Sequence, residues 1–550
     1  MSAVEVSVPT GVAEANAALT QLVEDQVASR IFAHDASLWG ADAAEEAAIR
    51  LGWTEVATAA AELLPRIARL REEFHADGVD RFVLCGMGGS SLAPAVITQW
   101  AGADLTMIDS TYPTAVRRVL SGDLSRTAVI VSSKSGGTIE TRSHLAAFED
   151  AFRTAGIEPA GRIVIVTDPG SPLEEESRAA GRHVFTADPN VGGRFSALTA
   201  FGLVPSGLAG VDLERLLDNA AAVREAVAAD SPENPALQVA AAIAAGLPRR
   251  FVLAVTESPT AKWGLGRWIE QLVAESTGKD GQGVLPIALD ASAPELTDVP
   301  ESAVVVGVSD SGTAGADTAA LFAPADPAIS VAASLGAQFL VWEVATAALG
   351  RLMGIDPFNQ PDVESAKVAA REALASDDAA AEPSGTTLPG LAGARLLAAP
   401  EGVELEGTAA DADALARALR DAAVGAGYVS LQAYLDPQGE VADPLRELRD
   451  LLARSLRVPV ALGWGPSYLH STGQLHKGGP SAALFLQLSA ADPEPLPIPG
   501  AERGFDALIT AQARGDRGVL AERERPVFAL AASDPAATIR ALIEALERAE

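Results

Sequence analysis

The chain carries 550 residues, 48% of them hydrophobic, too many for one core and too apolar for a disordered protein, so two to four globular domains are expected. A formal net charge of −32, from 41 Lys and Arg against 73 Asp and Glu, repels nucleic-acid backbones and anionic membranes. The single cysteine, Cys85, excludes an internal disulfide framework and a metal site built from cysteines.

The opening MSAVEVSVPTGVAEA lacks a basic region followed by an apolar core, and no apolar run reaches the roughly 18 to 20 residues of a membrane span. A cytoplasmic α/β protein without membrane or nucleic-acid partners is therefore expected. Residues 1–80 read as an N-terminal helical region, with apolar residues at three–four spacing in EANAALTQLVEDQVASRIF, EEAAIRLGW and ATAAAELLPRIARLREEFHADG. From residue 81 the texture changes. RFVLCG, DLTMID, TAVIVSSK, RIVIVTD and HVFTAD are short strands separated by helical patterns over 81–245. A second set, RFVLAVTE, VLPIALD and AVVVGVSD, occupies 246–372 and ends in the long helical stretch ISVAASLGAQFLVWEVATAALGRLMG. Strand–helix alternation predicts two tandem doubly wound α/β domains with parallel sheets. ALASDDAAAEPSGTTLPGLAG, residues 373–393, is poor in large apolar residues and reads as a linker. Beyond it, 394–550 mixes strands (YVSLQAYL, VPVALGWG, ALFLQLS, PVFALAAS) with helices (PLRELRDLLARSLR, ATIRALIEALERA) and predicts a separate α+β domain.

Two stretches at strand ends in the first set carry the chemistry. In GMGGSSLAP (86–94) the glycines, Gly89 among them, let a ligand approach the backbone, and Ser90 can donate a hydrogen bond. In SSKSGGTIET (132–141) Ser133, Ser135, Thr138 and Thr141 offer hydroxyls, Lys134 a charge, and the next helix start its free amides. Ligands of open parallel sheets sit at strand carboxyl ends, and a hydroxylated helix start binds anions, so a phosphate is expected here. Ordinary Ser/Thr-capped turns are the alternative. Neither stretch fits the nucleotide P-loop or the dinucleotide glycine fingerprint.

Together with GGRFSALTAFGLVP (192–205), ESTGK (275–279) and FNQPDVESAK (358–367), these stretches resemble the glucose-6-phosphate isomerases of the wider sugar isomerase superfamily. YLHSTGQLHKGGP (468–480) resembles the C-terminal part of a bacterial subgroup of them. The resemblance implies a reversible isomerisation of glucose 6-phosphate and fructose 6-phosphate, in glycolysis and gluconeogenesis, through ring opening and a cis-enediolate. It implies a homodimer and no metal or other cofactor. Glu275 is implied as the base, a role that burial suits if it raises a carboxyl pKa toward neutrality. Arg194 is implied beside the enediolate, and Gln360 and Lys367 as a substrate-binding pair, the lysine assisting ring opening.

The pattern departs from the resemblance at one point: residues 276–359 hold no histidine, whereas well-known members carry a catalytic one there. His470 and His476 in the C-terminal motif are the candidates for ring opening, folding back over the site of this chain or of a neighbour. His476 is preferred because its glycines and Lys477 suit an anionic sugar, and Lys367 acting alone is the alternative. A non-catalytic phosphosugar regulator, or an isomerase of another hexose phosphate such as mannose 6-phosphate, also fits the phosphate turns.

Overall fold

The computed structural model describes residues 4–9, 11–313, 315–362, 368–369, 371–374, 385–403, 405 and 411–549. The N-terminal region is helical except for β1 (Val4–Ser7), a strand that the helical expectation missed. The helix Val56–Ala76 then leads into the first sheet.

That sheet holds β2 (Arg81–Gly86), β3 (Thr106–Ile108), β4 (Thr127–Ser132), β5 (Ile163–Thr167) and β6 (His183–Thr186), all parallel, in the order β3-β2-β4-β5-β6. All six residues of β4 are buried. A central parallel strand is covered on both faces, which is why its sequence reads as one apolar run rather than an alternation. The connection from β2 leads to β3 on one side, while β4 lies on the other. The crevice between the carboxyl ends of β2 and β4 is therefore the switch point of the sheet.

The second sheet repeats this order with β7 (Val252–Glu257), β8 (Leu285–Leu289), β9 (Ala303–Ser309) and β10 (Ile329–Ala333), arranged β8-β7-β9-β10-β1. It is parallel except at its edge, where β1 pairs antiparallel with β10. The stretch ISVAAS, expected to begin a helix, is strand β10. The helix is confined to Leu335–Met353 and is buried on all faces from Leu335 to Gly350, so its uniform apolarity marks a core helix.

The C-terminal block contains β11 (Thr386–Thr387), β12 (Arg395–Ala398), β13 (Tyr428–Tyr434), β14 (Val460–Trp464), β15 (Ala483–Ala490) and β16 (Val527–Ala532), in the order β11-β12-β16-β15-β13-β14. Strands β13 to β16 are parallel, and only β12 runs against them, since β11 is antiparallel to β12 in turn. The block is thus closer to a third α/β unit than to the expected α+β mixture. Of the expected linker, 385–393 belongs to it through β11, and 375–384 lies outside the described residues. The block shares hydrophobic clusters with both sheets. Phe505 and Leu508 pack with Val83, Val129 and Phe148, and Tyr428, Phe485 and Leu475 pack with Phe251 and Leu285. Among the described residues no helix is long and apolar enough to cross a membrane.

Candidate active site

The turns after β2 and β4 flank the switch-point crevice. After β4, Ser133 is buried and its hydroxyl donates to Thr138 Oγ1 at 3.1 Å. Thr138 is the N-cap of the helix Ile139–Thr154, and its side chain makes no capping bond. The helix start thus keeps hydroxyls and unshared amides on one spot, the requirement of an anion site. Two expected ligands are engaged elsewhere. Lys134 Nζ pairs with Asp168 Oδ2 at 2.6 Å, so its charge is already neutralised. Thr141 is buried, and its hydroxyl donates to Thr138 O at 3.0 Å within the first helical turn. Ser135 Oγ accepts from the Gly137 amide at 3.3 Å. After β2, Gly89 is buried and Ser90 half-buried in a 3-10 turn. A Cβ on Gly89 would strike the Gly193 carbonyl. Glycine there lets the turn lie against the loop that carries Arg194.

Arg194 is 3% exposed. Its Nε donates to Ser276 Oγ at 2.8 Å, one η nitrogen to Gln360 Oε1 at 2.8 Å, and the other to Pro357 O at 2.7 Å and Asn359 O at 3.1 Å. A planar fork held by four acceptors is a fixed positive charge. Glu275 Oε1 lies 3.6 Å from it. Glu275 sits in the last turn of the helix Leu265–Thr277, with its side chain 12% exposed. Gln271, one turn earlier, donates to Glu275 Oε2 at 3.0 Å. Lys279 of the same motif, to which the sequence reading gave no role, is 3% exposed. It donates to Asp356 O at 2.5 Å, Asn359 O at 2.8 Å and Asn359 Oδ1 at 2.7 Å. Burial first, and then the nearby Arg194 charge, pull its pKa down to about 7. Lys279 and Arg194 together thus tether the loop bearing Gln360. Asn359 spends its side chain on Lys279. Lys367 lies outside the described residues.

The C-terminal motif folds back over this site within one chain. The Gln271 amide that reaches Glu275 also donates to His470 O at 2.8 Å. Gly88, at φ +54°, leaves no room for a Cβ beside that carbonyl. Gln474, fully buried, donates to Gly278 O at 2.9 Å and Asp362 Oδ2 at 2.6 Å. His470 Nε2 lies 3.2 Å from Glu140 Oε1. Burial pushes the Glu140 carboxyl upward, but the charge and hydrogen bond of His470 outweigh it and the net shift is downward. An ionised carboxylate is acceptor-only and takes its hydrogen bond from Nε2–H.

His476, preferred on its sequence neighbours, sits in different surroundings from His470. His476 is 3% exposed, packed against Tyr428, Tyr468 and Phe485, with Nδ1 3.0 Å from Tyr428 OH. Burial, then the Lys477 and Arg525 charges, lower its pKa to about 3. Lys477 is buried too, 2.6 Å from Asp516, and is not available to an anion. The structure therefore brings together Glu275, Arg194, Gln360, His470 and the hydroxylated turn, and sets His476 and Lys477 apart. Glu140 and Gln474 lie inside SSKSGGTIET and YLHSTGQLHKGGP, whereas Gln271 carries no local signal.

Comparison with known proteins covers part of this region. The family model described as phosphoglucose isomerase matches residues 44–284. A probable glucose-6-phosphate isomerase of Haloarcula marismortui is 30% identical over 335 residues, 52% of this chain and 77% of the relative. A glucose-6-phosphate isomerase of a Synechococcus strain is 35% identical over 246 residues, 41% of this chain and 46% of the relative, so the match spans about half of that protein. Among solved structures, a hypothetical protein of Thermus thermophilus superposes with a TM-score of 0.57 at 25% identity, covering 68% of this chain and all of that one.

Proposed function

The chain belongs to the phosphoglucose isomerase family, enzymes that interconvert glucose 6-phosphate and fructose 6-phosphate as aldose–ketose isomerases, and from that premise we propose how its residues divide the reaction. The phosphate rests on Ser133, Ser135, Thr138 and the amides of the following helix start, with Gly89 and Ser90 across the crevice. His470 opens the ring. It gives a proton to the ring oxygen as the bond to the anomeric carbon breaks, and takes one back from the anomeric hydroxyl, so atoms and charge balance. Glu140 orients it. Glu275 then moves a proton between carbons 1 and 2, and Arg194 stabilises the oxyanion of the cis-enediolate. A fixed donor of this kind is worth about 3 to 4 kcal/mol. Gln360, hydrogen-bonded to Arg194, contacts the sugar, and Lys367 assists from the segment that follows.

The observation that carries this reading is the meeting of Glu275, Arg194 and His470 around one crevice, linked by Gln271. It disfavours the sensor alternative, because a binding module needs the phosphate turn but not a base set 3.6 Å from a buried guanidinium. The test is Glu275→Gln, which keeps shape but removes the proton acceptor. Turnover is expected to fall by about 10²-fold or more. The wild type is expected to wash solvent deuterium into carbon 2 of glucose 6-phosphate, and the variant to lose exchange and isomerisation together. Exchange that survives while isomerisation falls would remove Glu275 as the base. We carry a cytoplasmic homodimer as part of the proposal. Light scattering reads it, and a fully active monomer would sink it.

A further inference from the structure

The C-terminal block supplies His470, but one of its other helices reaches the same place from the opposite side. Helix Phe505–Glu522 buries four polar residues, Thr510, Gln512, Asp516 and Arg517, along with its apolar ones. Gln512, 2% exposed, donates from Nε2 to Glu140 Oε1 at 2.7 Å, the same oxygen that His470 Nε2 approaches. Its amide cannot be turned round. The fully buried Thr111 hydroxyl donates to its Oε1 at 2.6 Å, and an ionised carboxylate accepts only from the NH₂ side. One turn later, Asp516 accepts from Tyr468 OH, two residues before His470, and pairs with Lys477 beyond it. A single helix therefore grips the histidine's loop on both flanks and the histidine's carboxylate partner. A buried carboxylate that kept His470 as its sole donor would be free to rotate or to take up a proton, and either change misorients the imidazole.

We propose that Gln512 is a positioning residue for ring opening, holding Glu140 in the orientation that aims His470 at the sugar ring. This rests on the ring-opening role of His470, and the experiment separates the two. Two substrates are compared in the full-length enzyme: fructose 6-phosphate, which is mostly cyclic, and 5-deoxyfructose 6-phosphate, which lacks the hydroxyl that closes the ring. Gln512→Leu is expected to lower kcat/KM for the cyclic sugar by about tenfold or more, the scale of one hydrogen bond to a charged group. The open-chain analogue is expected to lose far less. Gln512→Met is close in size, apolar and unable to donate. It is expected to behave like the leucine variant, and it answers the question if that variant fails to fold. His470→Ala is expected to show the same selectivity at about 10²-fold. Equal losses on both substrates in the Gln512 variants, or no loss on either while His470→Ala remains selective, overturn the positioning role alone. A His470→Ala enzyme that turns over the cyclic sugar like the wild type overturns the ring-opening reading on which it stands.

Discussion

At the scale of single residues, polar groups in this protein owe their roles to the partners that burial leaves them. Lys477 illustrates this. Its neighbours in the chain suit an anion, yet it lies 2% exposed against Asp516, itself 1% exposed. Asp516 also accepts from Tyr468 OH, whose oxygen lies 3.0 Å from Tyr434 OH. Two opposite charges in a dry interior roughly cancel their desolvation only while both are present. Lys477→Met leaves Asp516 charged and unpaired, and is expected to cost about 3 to 5 kcal/mol of stability. Pairing it with Asp516→Leu is expected to restore part of that loss, since two apolar groups of similar volume need no partner. Urea unfolding of the two variants checks this. A single variant as stable as the wild type would mean that the pair contributes nothing. His476 and His470 show the same logic with opposite outcomes. Six residues apart, one is turned into the β13–β15 face among aromatic rings, and the other toward Glu140 at the crevice.

At the scale of elements, the central parallel strands were legible because they are buried on both faces and bounded by small residues. The strand TAVIVS needs no partner sequence to be recognised. The strand β10 was not, since ISVAAS runs without a break into an equally apolar helix and only register against β9 separates them. Helix Phe505–Glu522 was missed because Gln512, Asp516 and Arg517 look like a solvated face, whereas the fold turns them inward. The candidate site divides along the same line. Glu275, Arg194 and the hydroxylated turn are local motifs, but Gln512 meets Glu140 only through the packing of distant elements, 372 positions apart. The turn after β4 carries its own prediction. Removing the hydroxyls of Ser133 and Thr138 together by alanine leaves the backbone amides in place and deletes two donors. At about 1 kcal/mol or more per lost bond, KM for fructose 6-phosphate is expected to rise roughly tenfold or more. Steady-state kinetics reads it, and an unchanged KM would remove the anion site from this turn.

At the scale of the whole molecule, the C-terminal block is fastened to the two sheets by shared cores and buried polar contacts. Arg449 is paired with Glu295, which is 1% exposed, and Arg118 grips Asp436 with both η nitrogens. Two histidines lie along these boundaries. His144 stacks on Phe505 with ring centroids 5.8 Å apart and bonds Ser110 O at 3.0 Å. His476 fills the aromatic pocket beside β13. Burial lowers the pKa of His144 to about 4, opposed by its bond to Ser110 and the nearby Glu140 charge. Burial and the Lys477 and Arg525 charges lower that of His476 to about 3. In the unfolded chain both titrate near 6.5. Below about pH 6.5 the unfolded chain therefore binds protons that the folded chain excludes, and stability falls as pH falls until the folded values are reached. Each histidine removes up to about 1.4 kcal/mol per pH unit in that window, or about 2 kcal/mol by pH 5. The melting temperature is thus expected to drop between pH 7 and pH 5. In a His144→Gln, His476→Gln variant, whose amides keep hydrogen bonding but do not titrate, the drop should be clearly shallower. Parallel curves for the two proteins would mean that acid loosens the molecule elsewhere, at its carboxylates, and that the boundary histidines take no part.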